Sequence, residues 1–167
     1  GYHAMSALAS DDKLRKLDNS ELADHRRASR PFGENCGFTL AESSQYFILM
    51  DDQLAMELGA NIYGAVTDVF VNADGFKKSI SAPGPGNLIT MSKAVAAGKA
   101  LLGEEAIINN SFVQAHGSST PQNRVTEASL LQRVATDHNI QKWPILAVKS
   151  YVGHSLSPSS ADQLIST

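Results

Sequence analysis

Short apolar runs along this chain alternate with stretches in which apolar residues recur at helical spacing. The run QYFILM at 45–50 is rich in β-forming residues and predicts a buried strand, as does NIYGAVTDVFVNA at 61–73. Two shorter strands are predicted from SFVQ at 111–114 and PILAV at 144–148. Four strands separated by other elements favour a sheet whose strands are not joined by simple hairpins.

Helices are predicted between these runs, and further short helices are expected on the surface within the polar first thirty residues and at 159–167. A short one covers residues 54–58 and stops at Gly59, and a longer one covers 88–102, with Gly98 placed to let a neighbouring element pack closely. A third helix begins after Thr120, an expected N-cap that is followed by proline at the first helical position. The alternation of strands and helices is typical of an α/β fold with a largely parallel sheet.

The composition excludes several classes of function. Fourteen Lys and Arg against 17 Asp and Glu leave a formal charge of −3, so no excess of positive charge is available for binding nucleic acid. The single cysteine cannot form an internal disulfide, and the sequence contains no CxxC pair that would indicate a metal site. No apolar run approaches the roughly 18 residues that cross a bilayer, and the N-terminus lacks the features of a signal peptide. We therefore expect a cytoplasmic protein that binds neither nucleic acid nor membranes.

Two loops carry residues suited to catalysis. His116 lies in AHGSSTP at 115–121, and His154 lies in KSYVGHSL at 149–156, each directly after a predicted apolar strand. Because the carboxyl ends of parallel strands share one edge of a sheet, we expect the two imidazoles within about 6 Å of each other, with Lys149 behind them. Paired imidazoles can donate to a developing oxyanion or move protons near neutral pH.

The same residues resemble a known family, the β-ketoacyl synthases, which are the decarboxylating condensing enzymes of fatty-acid synthesis. HGSSTP at 116–121 resembles their HGTSTP motif, and KSYVGHSL at 149–156 resembles their KSxxGHxxG motif. Glu127 lies eleven residues after the first histidine, where the family carries a glutamate. SRPF at 29–32 and LAMELGANIYGAV at 54–66 are similar to upstream passages of the family, so the resemblance runs the length of the chain.

This resemblance implies an α/β, thiolase-like fold with αβαβα layers, of which only part of the two-half architecture is present. Residues 1–44 would be a connecting segment from the N-terminal half, and 45–167 a partial C-terminal half. The family forms homodimers and joins an acyl thioester to malonyl-acyl carrier protein with loss of carbon dioxide. The resemblance implies no separate cofactor or metal, because the substrates are carried on the phosphopantetheine of acyl carrier protein. HGSSTP, rather than the HGTGTxxGDP of modular polyketide synthases, favours fatty-acid elongation.

Residue roles follow from the motif matches. The resemblance implies that His116 and His154 bind the malonyl thioester carbonyl and stabilise the enolate that forms as the carboxylate leaves. Lys149 matches the family lysine, and Glu127 matches the glutamate expected to organise that buried cation. Two further positions, Ser118 and Thr120, match the hydroxyl residues that hydrogen-bond the pantetheine arm.

The chain also departs from the family pattern. Where the family has GEGAG this chain reads AESSQ at 41–45, and where it has GAAG this chain reads SPSS at 157–160. Arg124 replaces an aspartate, and the family nucleophile would lie before Gly1. These differences leave an alternative open, a catalytically inactive homologue that acts as a partner or chain-length-setting subunit. A thiolase-fold enzyme without decarboxylation, or an unrelated α/β protein, is the remaining alternative.

Cys36 is a tempting nucleophile, but the sequence argues against it. Its flanking residues predict a loop leading to a strand, whereas a reactive thiol of this kind is favoured at a strand-to-helix turn. Glu34 and Glu42 would raise its pKa if either lay nearby. We therefore expect a structural or partly exposed thiol.

Overall fold

The computed structural model describes residues 1–167 and contains seven α-helices and two short strands. In chain order these are α1 (Asp11–Asp18), α2 (Asp52–Glu57), α3 (Pro85–Leu102), α4 (Glu104–Asn110), β1 (Val113–Gln114), α5 (Pro121–Asp137), β2 (Ile145–Leu146), α6 (Lys149–Val152) and α7 (Ser159–Ile165). A single 3-10 turn covers His25–Arg27. No helix combines the length and the apolar character that crossing a bilayer requires.

The two strands form a parallel pair. Val113 aligns with Ile145, and the Ala115 N–H donates to the Leu146 carbonyl at 2.8 Å. Helix α5 lies between β1 and β2 in the chain, so the strands are joined by a helical crossover, as parallel pairing requires. Both candidate histidine loops leave this sheet at the carboxyl ends of its strands.

A small apolar core holds the helices around this sheet. Val95 on α3, Val134 on α5 and Ile140 form a buried cluster, against which Ile107 on α4 packs. Gly98 faces that packing, because a Cβ built there would lie 2.9 Å from the Ile107 Cδ1 atom. The prediction that Gly98 permits a close approach is therefore confirmed.

The helices with clear end signals begin and end close to their predicted positions. Helix α3 ends at Leu102 before Gly103, and α5 starts at Pro121 after Thr120. Two helices were not predicted, α4 and the single turn of α6, because both are short and are followed directly by elements of a different type. The predicted strand at 111–114 is present only at its second half.

The predicted strands at 45–50 and 61–73 are wrong for this chain, since neither segment adopts strand structure. Their apolar side chains are exposed, with 86% of the surface accessible at both Ile48 and Val71. A strand needs hydrogen-bonded neighbours, and the only sheet in the structure has two strands of two residues each. The composition of these segments is nevertheless that of buried strands.

The N-terminal segment packs against the backbone that leads to the site. Phe38 pairs with residues 7–9, its N–H donating to the Ala7 carbonyl at 2.9 Å. Gly37 makes this approach possible, because a Cβ there would lie 2.4 Å from the Leu8 carbonyl carbon. Leu14 of α1 is 1% exposed. The expected short surface helix is thus present, and its Lys13 Nζ donates to the Leu8 carbonyl at 2.9 Å.

Candidate active site

The two loop histidines meet at the carboxyl end of the sheet. Their ring centroids are 5.1 Å apart, and the ring planes are inclined by 80°. His116 lies two residues beyond β1, and His154 lies two residues beyond α6, which itself follows β2. The predicted proximity of the imidazoles is confirmed.

Hydrogen bonds hold His154 on both sides and select its tautomer. The backbone N–H of His154 donates to the Thr39 carbonyl at 2.7 Å, and its backbone carbonyl accepts from the Ala41 N–H at 3.1 Å. The Leu156 N–H donates to Nδ1 of the ring at 3.1 Å. Because Nδ1 acts as an acceptor, the proton of the neutral imidazole resides on Nε2. Phe38 packs against the ring, with centroids 5.2 Å apart.

Gly153 allows the backbone of the second histidine loop to lie this close to residues 39–41. Its φ is +76°, a conformation that side-chain-bearing residues rarely adopt, and a Cβ there would lie 3.0 Å from the Thr39 carbonyl oxygen. The backbone conformation and the close approach to Thr39 therefore explain why a glycine occupies this position of the KSxxGH motif in this chain.

The first histidine loop is held by a carboxylate on α5. Glu127 accepts from the His116 N–H at 2.6 Å and from the Gly117 N–H at 2.8 Å. Asn123 donates to the same carboxylate at 2.9 Å. This clamp acts on the loop backbone and leaves the His116 ring without a hydrogen bond inside the chain. That ring is free to donate to a ligand.

Lys149 lies beneath the histidines and is only 1% exposed. Its Nζ atom donates to the His116 carbonyl at 2.7 Å and to Gln163 Oε1 at 2.8 Å. Burial lowers the pKa of Lys149, while the negative charges of Glu127 and Asp162 oppose that shift. The expected link between Lys149 and Glu127 is thus indirect, because both groups bind the backbone of His116 and no ion pair joins them.

Both imidazoles are held neutral. Burial lowers the pKa of His116 to about 4, and the charge of Lys149 adds to the effect although the ring remains open to solvent on one side. Burial also lowers the pKa of His154 to about 4, with further contributions from His116 and Lys149. Near pH 7 the site therefore presents neutral rings, and the N–H group of His154 is fixed at Nε2.

This arrangement predicts an unusual acid limit for the reaction. Protonation would place a hydrogen on His154 Nδ1, which already accepts from Leu156, so activity should fall only below about pH 5. Unfolded histidines take up protons near pH 6.5 whereas the folded ones do so near 4, so the free energy of unfolding should also decrease as the pH falls through this interval. A kcat–pH profile of the full-length enzyme measures the first effect, and a fall in activity centred near pH 6.5 contradicts it.

The two candidate pantetheine-binding hydroxyls lie side by side at the start of α5. Ser118 Oγ is 3.0 Å from Thr120 Oγ1. Between them Ser119 has a φ of +68° and is fully buried, and its Oγ accepts from the Arg30 N–H at 2.8 Å. Ser119 was not predicted to matter, yet it fixes the backbone that presents both hydroxyls.

Cys36 lacks the hydrogen bonds expected of a catalytic thiol. Its thiol makes no hydrogen bond, and burial raises its pKa, although the charges of Lys13 and Arg30 partly oppose this. The expected contribution of Glu34 and Glu42 is absent, since burial is the main cause. We expect no acyl group on Cys36 when the full-length protein reacts with an acyl donor. Peptide mass mapping measures this, and acylated Cys36 would contradict the assignment.

Two polar residues of α7 belong to the site but were not predicted. Gln163 accepts from Lys149, and its Nε2 donates to the Ala115 carbonyl at 2.6 Å. Asp162 is 7% exposed and binds side chains from other segments. The only sequence signal for either residue was an uninterrupted polar pair in the helix that follows the second histidine loop.

Comparison with known proteins agrees with this geometry. Residues 63–167 match the family described as β-ketoacyl synthase, C-terminal domain. The chain is 65% identical over 166 residues to the β-ketoacyl-[acyl-carrier-protein] synthase FabY of Pseudomonas aeruginosa. It is 34% identical over 148 residues to 3-oxoacyl-[acyl-carrier-protein] synthase 2 of Synechocystis, covering 86% of this chain and 34% of that protein.

The structural comparison gives the same result. The crystal structure of the ketosynthase FabY from P. aeruginosa superposes with a TM-score of 0.95 over 99% of this chain, at 65% sequence identity. The chain spans 26% of the length of FabY. The expected thiolase-like α/β fold, present in part, is therefore confirmed. On this evidence the chain belongs to the β-ketoacyl synthase family, with residues 63–167 matching the family's C-terminal domain.

Proposed function

We propose that these residues form the decarboxylation site of a 3-oxoacyl-acyl carrier protein synthase of fatty-acid synthesis. The observation that supports this most strongly is the pair of neutral imidazoles 5.1 Å apart. Two neutral imidazoles this close can each donate an N–H group to a single thioester oxygen that gains negative charge during reaction. The names of the relatives, which are acyl-carrier-protein synthases, support the same substrate class.

In the proposed reaction the malonyl thioester carbonyl oxygen accepts from His154 Nε2–H and from the His116 ring. The bond between the α-carbon and the carboxylate breaks, carbon dioxide leaves, and the electron pair forms an enolate on the thioester. The enolate carbon then attacks an acyl thioester held on a nucleophilic cysteine outside these residues, and that thiolate leaves. Lys149 supports this site by holding the His116 carbonyl while its positive charge favours the nearby enolate.

The binding partners are proposed on the same basis. Ser118 and Thr120 would hydrogen-bond the phosphopantetheine of acyl carrier protein, consistent with their adjacent hydroxyls at the start of α5. We extend the proposal to a homodimeric, cytoplasmic enzyme that needs no separate cofactor. Residues 1–44 would connect the two halves of the enzyme, and 45–167 would form part of its C-terminal half.

An inactive partner subunit is the less favoured function. A subunit without chemistry has no need of a buried lysine, and burying Lys149 without an ion pair is costly. The chain retains this cation together with both imidazoles in contact. The changed glycine positions at 41–45 and 157–160 are the remaining argument for the inactive alternative.

The test is an assay of the full-length protein with an acyl thioester and malonyl-acyl carrier protein. We expect the 3-oxoacyl product with release of carbon dioxide, and a full-length protein that releases none would refute the proposed function. The 167 residues produced alone should not condense these substrates, because their one cysteine makes no hydrogen bond to either histidine and the family nucleophile is expected outside these residues. Turnover by the isolated chain would contradict that prediction.

A further inference from the structure

A buried carboxylate with three side-chain donors lies next to the second histidine loop. Asp162 of α7 accepts hydrogen bonds from Ser43 Oγ at 3.0 Å, from Gln45 Nε2 and from Ser155 Oγ. We refer to these four residues as the Asp162 cluster. Its members come from residues 43–45, from the second histidine loop and from α7, so the carboxylate adds side-chain links to the backbone hydrogen bonds that already join the first two segments.

Two of the donors occupy positions where the chain departs from the family pattern. Ser43 and Gln45 lie in AESSQ at 41–45, in place of the glycine-rich GEGAG. A glycine offers no side chain to a neighbouring carboxylate, whereas both residues here donate to Asp162. The departures thus supply the hydrogen bonds that satisfy a buried charge.

Both donor segments lead directly to His154. Ser155 is the next residue in the chain, and its hydroxyl is anchored on Asp162. The segment that carries Ser43 pairs with the His154 backbone just upstream, through Thr39 and Ala41. Asp162 therefore holds the two backbone segments that together determine the position of the His154 ring.

The charge of Asp162 also reaches the site. Burial by itself would raise the pKa of Asp162, but the hydrogen bonds from Ser155, Ser43 and Gln45 and the positive charge of Lys149 lower it. Asp162 is ionised at neutral pH and is one of the two carboxylates that stabilise the buried ammonium of Lys149.

We propose that Asp162 is a positioning residue for decarboxylation, which holds His154 in place through Ser155 and through residues 39–45. This inference rests on the proposed function and assigns a structural purpose to the non-glycine residues at 43 and 45. Asp162 makes no hydrogen bond to either imidazole, so it acts on His154 through the backbone that carries the ring and through its negative charge.

The test uses the full-length enzyme with Asp162→Ala. A displaced catalytic group can reduce a rate by about 10²-fold, so we expect kcat for malonyl decarboxylation to fall by about 10–100-fold. The KM for malonyl-acyl carrier protein should change less than kcat, because binding also uses the proposed pantetheine contacts of Ser118 and Thr120. The rate of acylation of the nucleophile should stay within about twofold, because that step does not depend on the position of His154. Asp137→Asn is the matched control, since it removes an exposed carboxylate that pairs with Arg133 on α5.

Two further variants separate hydrogen bonding from charge. Asp162→Asn keeps an acceptor for Ser155, and rotation of the Gln45 amide would direct its unpaired Oε1 atom to the new Nδ2 group. We expect this variant to lose less activity than Asp162→Ala. Ser155→Ala removes one anchor and keeps the charge, and it should reduce kcat by about 3–10-fold. This conservative variant also serves if Asp162→Ala does not fold.

The outcomes are distinguishable. An unchanged kcat in both Asp162→Ala and Ser155→Ala, or an equal loss of acylation and decarboxylation, would overturn the positioning role. For a non-folding Asp162→Ala, an unchanged kcat in Ser155→Ala alone would overturn it. His154→Ala measured alongside tests the proposed function separately: if it decarboxylates as fast as the unaltered enzyme, the oxyanion site itself has been misassigned.

Discussion

Replacement of His154 by alanine in the full-length enzyme should lower the rate of malonyl decarboxylation by about 10²–10³-fold, the usual effect of losing one oxyanion donor. The reason is specific to this structure. The Nε2–H group of His154 is fixed by the Leu156 N–H bond to Nδ1, so it is directed before substrate binds. The rate is measured from carbon dioxide release with malonyl-acyl carrier protein as the only substrate.

A matched control is available for this variant. His25 is exposed and contacts only Asp11, at 3.0 Å, so His25→Ala should leave the rate within about twofold. His154→Gln provides a second comparison, because its side-chain amide can donate to the oxygen but lacks the fixed orientation of the ring. An unaltered rate in His154→Ala would mean that the ring does not contact the reacting carbonyl.

Lys149→Met should have the next largest effect, on both activity and stability. Methionine keeps much of the volume but leaves the His116 carbonyl and Gln163 Oε1 without their donor. An unsatisfied buried acceptor costs about 1–3 kcal/mol, so we expect the free energy of unfolding to fall by about 2–4 kcal/mol. Loss of the charge next to the enolate should lower the decarboxylation rate by about 10²-fold.

Denaturant unfolding and carbon dioxide release measure these two effects. Lys93→Met is the control, because Lys93 lies on the exposed face of α3 and makes no hydrogen bond or ion pair within the chain. A Lys149→Met enzyme that is destabilised but fully active would confine the lysine to a structural role. An unchanged free energy of unfolding together with an unchanged decarboxylation rate would contradict the placement of Lys149 in the site.

The parts of the fold that follow from local signals were predictable. Proline after Thr120 and glycine after Leu102 mark helix ends whatever surrounds them, and α5 and α3 begin or end there. The segments at 45–50 and 61–73 have the composition of strands, but a strand also depends on pairing with distant residues. In these residues the pairing partners are missing, so the local preference is not expressed.

The candidate site was predictable to the same extent. His116, His154 and Lys149 are marked by motifs, and their proximity follows from parallel strand ends. The partner of Glu127 could not be obtained this way, because motif spacing does not distinguish a bond to an ammonium from a bond to backbone N–H groups. Asp162 has no motif, since its role arises from three segments that converge only in the folded chain.

The hold on the first histidine loop has a consequence for how this site could change. Glu127 binds the backbone N–H groups of residues 116 and 117, Lys149 binds the carbonyl of residue 116, and neither makes a hydrogen bond to the imidazole. The shape of the loop is therefore independent of the side chain it presents. Another residue could occupy position 116 without loosening its support, so the same scaffold can present a different chemical group at the same point in space.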